Sequence, residues 1–152
     1  MIRYSTIQKE GQAELIIEKS RFIGYVKPVK TQEEALEFIA EIKSKHWDAT
    51  HNVYAYTLKE GGIRRFSDDG EPQGTAGMPI LEVLKKQQVY CCLVVVTRYF
   101  GGTLLGAGGL VRAYAKGAKI GIDAAGVAEN LGSGAQFTLI LKHLRLGQRR
   151  YL

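Results

Sequence analysis

Two stretches of this sequence hold residues whose types and spacing can do chemistry, and the first is GGTLLGAGG, Gly101 to Gly109. Gly101 and Gly102 follow an apolar run, and Gly106, Gly108 and Gly109 open a helical pattern. Backbone N–H groups in such a turn can face an anion at a helix N-terminus, where the dipole also favours negative charge. Arg98, beside Tyr99 and Phe100 at the end of the apolar run, adds a cation that suits an anion site. On this reading Arg98, Gly101, Gly102 and Gly106 form a cradle, Arg112 and Lys116 extend it along the helix, and Tyr54 and Tyr99 stack on bases. The stretch lacks the GK[ST] ending of a P-loop and misses the spacing of the dinucleotide fingerprint. Close strand-to-helix packing is an equally good use of the glycines, and tyrosine stripes are more often core.

The second stretch is SDDGEP, Ser67 to Pro72, where Asp68, Asp69 and Glu71 would hold a hard cation through oxygen ligands with His51 as a general base. An ordinary turn uses the same residues, and the EF-hand spacing is absent. The turn reading is the stronger one, so no metal, cofactor or catalytic residue is assigned. Ser67, Asp68, Asp69 and Glu71 remain as a loop that would meet a basic partner surface. Cys91 and Cys92 make poor nucleophiles, since an apolar strand raises a thiol pKa.

The elements that must position these residues follow from periodicity. Residues 13–17 and 21–29 read as two short strands with Glu18, Lys19 and Ser20 as their turn. Thr31 and Glu34 have the capping-box spacing, and Ala35, Phe38, Ile39 and Ile42 line one face of the helix that follows. HNVYAYTL (residues 51–58) alternates like a strand, and Gly61-Gly62 turns it into a hairpin with residues 63–66. Residues 78–86 read as a short helix with Pro79 in its first turn. VYCCLVVVTRYF (residues 89–100) is the most β-prone run, a central strand buried on both faces. Residues 110–125 return to helical spacing, and the pattern weakens after Gly126. This order predicts an α+β two-layer sandwich, a mainly antiparallel sheet with helices on one face.

Composition bounds the function classes. With 152 residues, 45% hydrophobic and 24% charged, the chain suits one ordinary domain whose core needs no disulfide or metal staple. The adjacent cysteines cannot easily form a bridge, no apolar run is long enough to span a membrane, and the start lacks a signal-peptide pattern. The expected location is the cytoplasm. The formal charge is +6, yet Lys142, Arg145, Arg149 and Arg150 carry most of it in an acid-free end. A basic end of this kind is more often a solvated tail than a nucleic-acid arm. Residues 136–141 (QFTLIL) could form one strand with nothing after it as a partner.

FSDDGEPQGTAGMPIL, from Phe66, and VVVTRYFGGTLLGAGGLVRAY, from Val94, together resemble the signature of the IMPACT family, the YigZ-like proteins. KSRFIGYV (from Lys19) and ATHNVYAY (from Ala49) resemble the family's opening half. The resemblance implies a fold similar to the second domain of a small-subunit ribosomal protein. It also implies kinship with eukaryotic regulators of translation. Residues 1–129 are then an IMPACT-like N-terminal domain. Residues 130–152 are an atypical basic tail, or the remnant of the second domain that full-length bacterial relatives carry. The expected function is a cytoplasmic, non-enzymatic module of translation regulation that docks RNA or a ribosome-associated protein, with no membrane partner. The alternative is a phosphoryl-transfer or nucleotide-binding enzyme using the Gly101–Gly109 loop, with Asp68 or Asp69 on magnesium.

Overall fold

The computed structural model describes residues 4–59 and 62–130. In chain order the elements are β1 (Tyr4–Ile7), β2 (Gly11–Ile17), β3 (Ser20–Pro28), α1 (Gln32–Lys45), β4 (His51–Thr57), β5 (Arg64–Ser67), α2 (Gly77–Lys86), β6 (Cys92–Tyr99), α3 (Gly106–Ala125) and β7 (Val127–Asn130). Strands β2 to β6 form one antiparallel sheet in the order β2-β3-β6-β4-β5, which puts β6 at the centre. The α+β class, the antiparallel sheet and the central apolar strand are as the sequence predicts. The β2–β3 turn is tighter than expected: Glu18 and Lys19 alone make it, both with positive φ, and Ser20 already belongs to β3.

Alternation along the central strands creates two cores. Phe22, Val26, Val94 and Val96 pack under α2 and α3 with Ile80, Leu84, Tyr114 and Ile122. Ile23, Tyr25, Leu93 and Val95 face the other way, against Phe38, Ile39 and Ile42 of α1. Helices on one face therefore describes α2 and α3, the layer that forms the sandwich with the sheet, whereas α1 covers the back. The reason lies in the strands themselves, since strands buried on both faces need cover on both. At the centre of the main layer α3 approaches β3 at backbone distance, and a Cβ on Gly24 would overlap the carbonyl oxygen of Gly117.

Helix starts are satisfied in two ways. Thr31 Oγ1 accepts from Glu34 N at 3.1 Å while Glu34 Oε2 accepts from Lys30 N at 3.0 Å, a capping box displaced by one residue. Helix α2 has no side-chain cap of its own, because Ala76 precedes it. Strands β1 and β7 pair only with each other in a separate ribbon, although Ser5 also bridges Val89. Four-residue strands of this kind carry too little alternation to be read from sequence. The expected basic tail and the strand at residues 136–141 lie outside the described residues.

Candidate binding site at the start of helix α3

Arg98 is the penultimate residue of β6, in register with Phe22 on β3 and His51 on β4. It points to the α3 face and is 5% exposed. Its Nη1 donates to Glu71 Oε2 at 2.7 Å, and its Nε and Nη2 donate to Ser20 Oγ at 3.3 and 3.2 Å. The guanidinium carbon lies 5.5 Å from the Phe22 ring centroid and 5.4 Å from that of Phe100. Tyr114 donates its hydroxyl to the same Glu71 oxygen, and burial followed by this contact holds the phenol proton on well above its ordinary range. His51 Nδ1 donates to the Asp69 carbonyl at 2.8 Å, which leaves Nε2 3.3 Å from Glu71 Oε1. Arg98 was expected to present an open cation, but its charge is committed to a buried carboxylate. Its role here is to tie β3, β6 and the Glu71 loop into one wall.

That wall borders a cavity of about 380 Å³ whose lining includes Thr50, His51, Pro72, Phe100, Leu104 and Gly106. The volume is in the range of small-ligand sites, and a mainly apolar lining with a few convergent polar groups is their usual composition. The glycines around it divide by cause. A Cβ on Gly101 would overlap the carbonyl of Lys19 in the β2–β3 turn, so close packing explains that residue, whose N–H donates to Ser20 Oγ at 3.2 Å. Gly102 and Gly106 have φ of 89° and 75° with open space beside them, so there the backbone conformation requires glycine. Helix α3 begins at Gly106 with no side-chain cap and no acid in its first turn. The Arg112 guanidinium lies back along the helix, with Nη1 3.3 Å from where a Gly108 Cβ would stand.

The acidic loop is not assembled around a cation. Asp68 caps α2 from a distance, its Oδ1 accepting from Ala76 N at 3.1 Å and Gly77 N at 2.8 Å and its Oδ2 from Gly74 N at 3.0 Å. Asp69 Oδ2 accepts from Asn52 N at 2.6 Å, and Ser67 Oγ accepts from Asp69 N at 3.1 Å. Glu71 faces Arg98 instead. Among the described residues no group of three or more His, Cys, Asp or Glu side chains is placed to hold a metal ion. Cys92 is buried and burial pushes its thiol pKa up.

Tyr54 and Tyr99 stand on the α1 side of the sheet, away from Arg98, where both pack against the second core. Neighbours on a strand point to opposite faces, so Arg98 and Tyr99 cannot share a site. Tyr99 belongs to a polar chain in which Tyr25 donates to His46 Nε2 (2.6 Å), His46 Nδ1 donates to the Tyr99 oxygen (2.7 Å) and Tyr99 donates to Asp48 (3.0 Å). The chain requires a neutral imidazole, because a protonated ring could not accept from Tyr25. His46 is accordingly held below its ordinary pKa of 6.5, by burial first and then by Lys45 and Arg21, against Asp48. The unfolded chain thus takes up this proton at higher pH than the folded one. The neutral ring's contribution is full above pH 6.5 and is lost as pH falls through 6.5 toward the lowered folded value. Urea midpoints measured across this window should decline with acidification, and His46→Gln should flatten that decline. An equal decline in the variant would assign it to other groups.

Charge differs in balance between the layers, although Glu82, which pairs with Lys85, and Asp123 lie on the α2–α3 side and Lys43 and Lys45 on α1. Arg112, Lys116 and Lys119 form an exposed stripe on α3, and Lys85 and Lys86 of α2 line a shallow groove together with Lys119. Glu33, Glu34, Glu37 and Glu41 lie on α1, on the back of the sheet. The structure thus places Gly101, Gly102 and Gly106 at the start of α3, strings Arg112 and Lys116 along its exposed face toward the helix middle, and puts the tyrosines on the other side of the sheet. Ser20, Tyr114, Phe100 and Leu104 are parts of the site that sequence reasoning did not assign. For Ser20 and Tyr114 there was no local signal, since they meet Arg98 and Glu71 only through the sheet and α3.

The family model of the Impact N-terminal domain matches residues 18–122. IMPACT family member YvyE of Bacillus subtilis is 54% identical over 127 residues, covering 83% of this chain and 58% of that protein. IMPACT family member YigZ of Escherichia coli is 43% identical over 104 residues, covering 66% of this chain and 51% of that protein. A crystal structure of a hypothetical protein superposes with a TM-score of 0.78 at 34% identity, over 86% of this chain and 65% of that one. The chain spans little more than half the length of these two curated relatives.

Proposed function

The chain belongs to the IMPACT family, and on that premise we propose that it is a binding module of translation regulation that docks RNA on its α2–α3 layer. The observation that carries this reading is the cation stripe. Arg112, Lys116 and Lys119 recur at helical spacing of four and three residues, where like charges cost a few tenths of a kcal/mol per pair. Arg112 also lies toward the positive end of α3, the less favourable end for a cation. An anion seated along the stripe offsets both costs, and a phosphate backbone supplies anions at regular intervals. The kinship with eukaryotic translation regulators that the family resemblance implies supports the same direction, and the working compartment would be the cytoplasm. The phosphoryl-transfer alternative is less well supported, because the carboxylates of Asp68 and Asp69 are taken by backbone N–H groups.

The test is single-stranded RNA affinity at several salt concentrations for the full chain and for Arg112→Gln/Lys116→Gln. Two lost phosphate contacts should reduce the slope of log K against log salt by about 1.4, at about 0.7 per contact. A slope unchanged in the variant would overturn the stripe as the RNA site. Absence of any RNA binding would favour a ribosome-associated protein as the partner.

A further inference from the structure

The cavity at the start of α3 has features that the cation stripe does not explain. Phe100 is 45% exposed and Leu104 is 86% exposed, so two large apolar side chains at the mouth lie open to water. Arg98 lies against the Phe100 ring and anchors it, as a fixed platform requires. At the exposed rim, Thr50 Oγ1 accepts from Phe100 N at 3.0 Å, which leaves its hydroxyl proton to donate. His51 is held in one orientation by the Asp69 carbonyl and lines the same space. The charges of Glu71 and Arg98 are mutually compensated at 2.7 Å, so the pocket suits a neutral occupant more than an ion. A flat, neutral, ring-shaped group with a polar edge fits this set.

We infer that the cavity receives one unstacked base of single-stranded RNA, with Phe100 as the stacking platform, the Thr50 hydroxyl meeting the base edge and His51 as part of the wall. Unpaired bases are typically read in this way, splayed out against aromatic side chains. Ala107 and Leu110 of the lining lie in the first turns of α3 on its packed side, whereas Arg112, Lys116 and Lys119 lie on the opposite, exposed face. The strand that carries the base therefore reaches the stripe by passing round the helix start, toward which the Arg112 guanidinium lies back. This inference rests on the RNA reading and adds to it a base-dependent component.

The experiment compares, on the full chain, a single-stranded RNA of about ten nucleotides, within the usual site size, with an abasic ribose-phosphate oligomer of equal length and charge. The intact chain should prefer the RNA by about tenfold, from one stacked base. Phe100→Ala should remove the preference while leaving the salt slope unchanged, and Phe100→Tyr should retain it. Leu104→Ser, at a position 86% exposed, should weaken the preference without touching the fold. Arg112→Gln/Lys116→Gln should weaken both oligomers equally. Equal affinity of the intact chain for the two oligomers would overturn the inference and leave the phosphate reading standing. So would a preference that Phe100→Ala does not change. Binding of neither oligomer would overturn both, and would leave an apolar side chain of a protein partner as the occupant to test.

Discussion

Replacing Glu71 with Leu should destabilise the domain by about 3–5 kcal/mol, the cost of leaving a buried charge without its partner. Glu71 Oε2 accepts from both Arg98 and Tyr114, and Oε1 faces His51. Without the carboxylate, a guanidinium that is 5% exposed keeps Ser20 Oγ as its hydrogen-bond acceptor beside the Phe22 and Phe100 rings, and the Tyr114 hydroxyl loses its acceptor. Against a typical domain stability of about 5–15 kcal/mol this is a large fraction. The double variant Glu71→Leu/Arg98→Met should recover most of the loss, because removing both charges also removes both desolvation costs. Urea unfolding of the intact chain and both variants decides it. A single variant within about 1 kcal/mol of the parent would mean that water reaches Arg98, and the site would have to be redrawn as open.

The contrast between what was legible and what was not follows the range of each physical signal. Thr31 with Glu34 and the valine run of β6 declare themselves within a few residues, because capping and β-branching are local causes, whereas Gly102 and Gly106, read as an anion cradle or close packing, are required by their positive φ. The site itself is a long-range object. Glu71 lies 27 residues from Arg98, and Ser20 lies 78 residues from it. Only the sheet register brings these groups together, and no periodicity encodes it. Asp68 shows the same limit from the other side: read as a ligand or a turn former, it turns out to be the missing cap of α2, which begins nine residues later.

One misplacement was avoidable. Once residues 89–100 are read as a strand buried on both faces, Arg98 and Tyr99 must diverge, and the same reading requires a helix on each side of the sheet. The aromatic wall of the cavity then falls to Phe100, which is just past the end of β6 and free of its alternation. Strand geometry thus separates two chemistries within three consecutive residues. Arg98 holds the main layer together, Tyr99 closes the His46 chain behind it, and Phe100 lines the cavity.

Val95→Asp should abolish cooperative folding. Val95 is 0% exposed at the middle of β6, in register with Tyr25 on β3 and Tyr54 on β4. Its side chain points into the core closed by Phe38, Ile39 and Ile42, a cluster made of apolar and aromatic side chains. An ionised aspartate there would be desolvated without a cation, and a protonated one would still bury a hydroxyl and a carbonyl among hydrocarbon. Either form also removes the apolar contacts of the valine and introduces a residue with poor strand propensity. The sum exceeds the stability that a domain of this size has to lose. Ile16→Asp is the control, the same chemistry on edge strand β2 at a residue 72% exposed, and it should cost no more than about 1 kcal/mol. Far-ultraviolet circular dichroism and urea unfolding of both variants separate burial from charge. A soluble Val95→Asp chain with a sharp unfolding transition would show that α1 can leave the sheet without loss of the main layer.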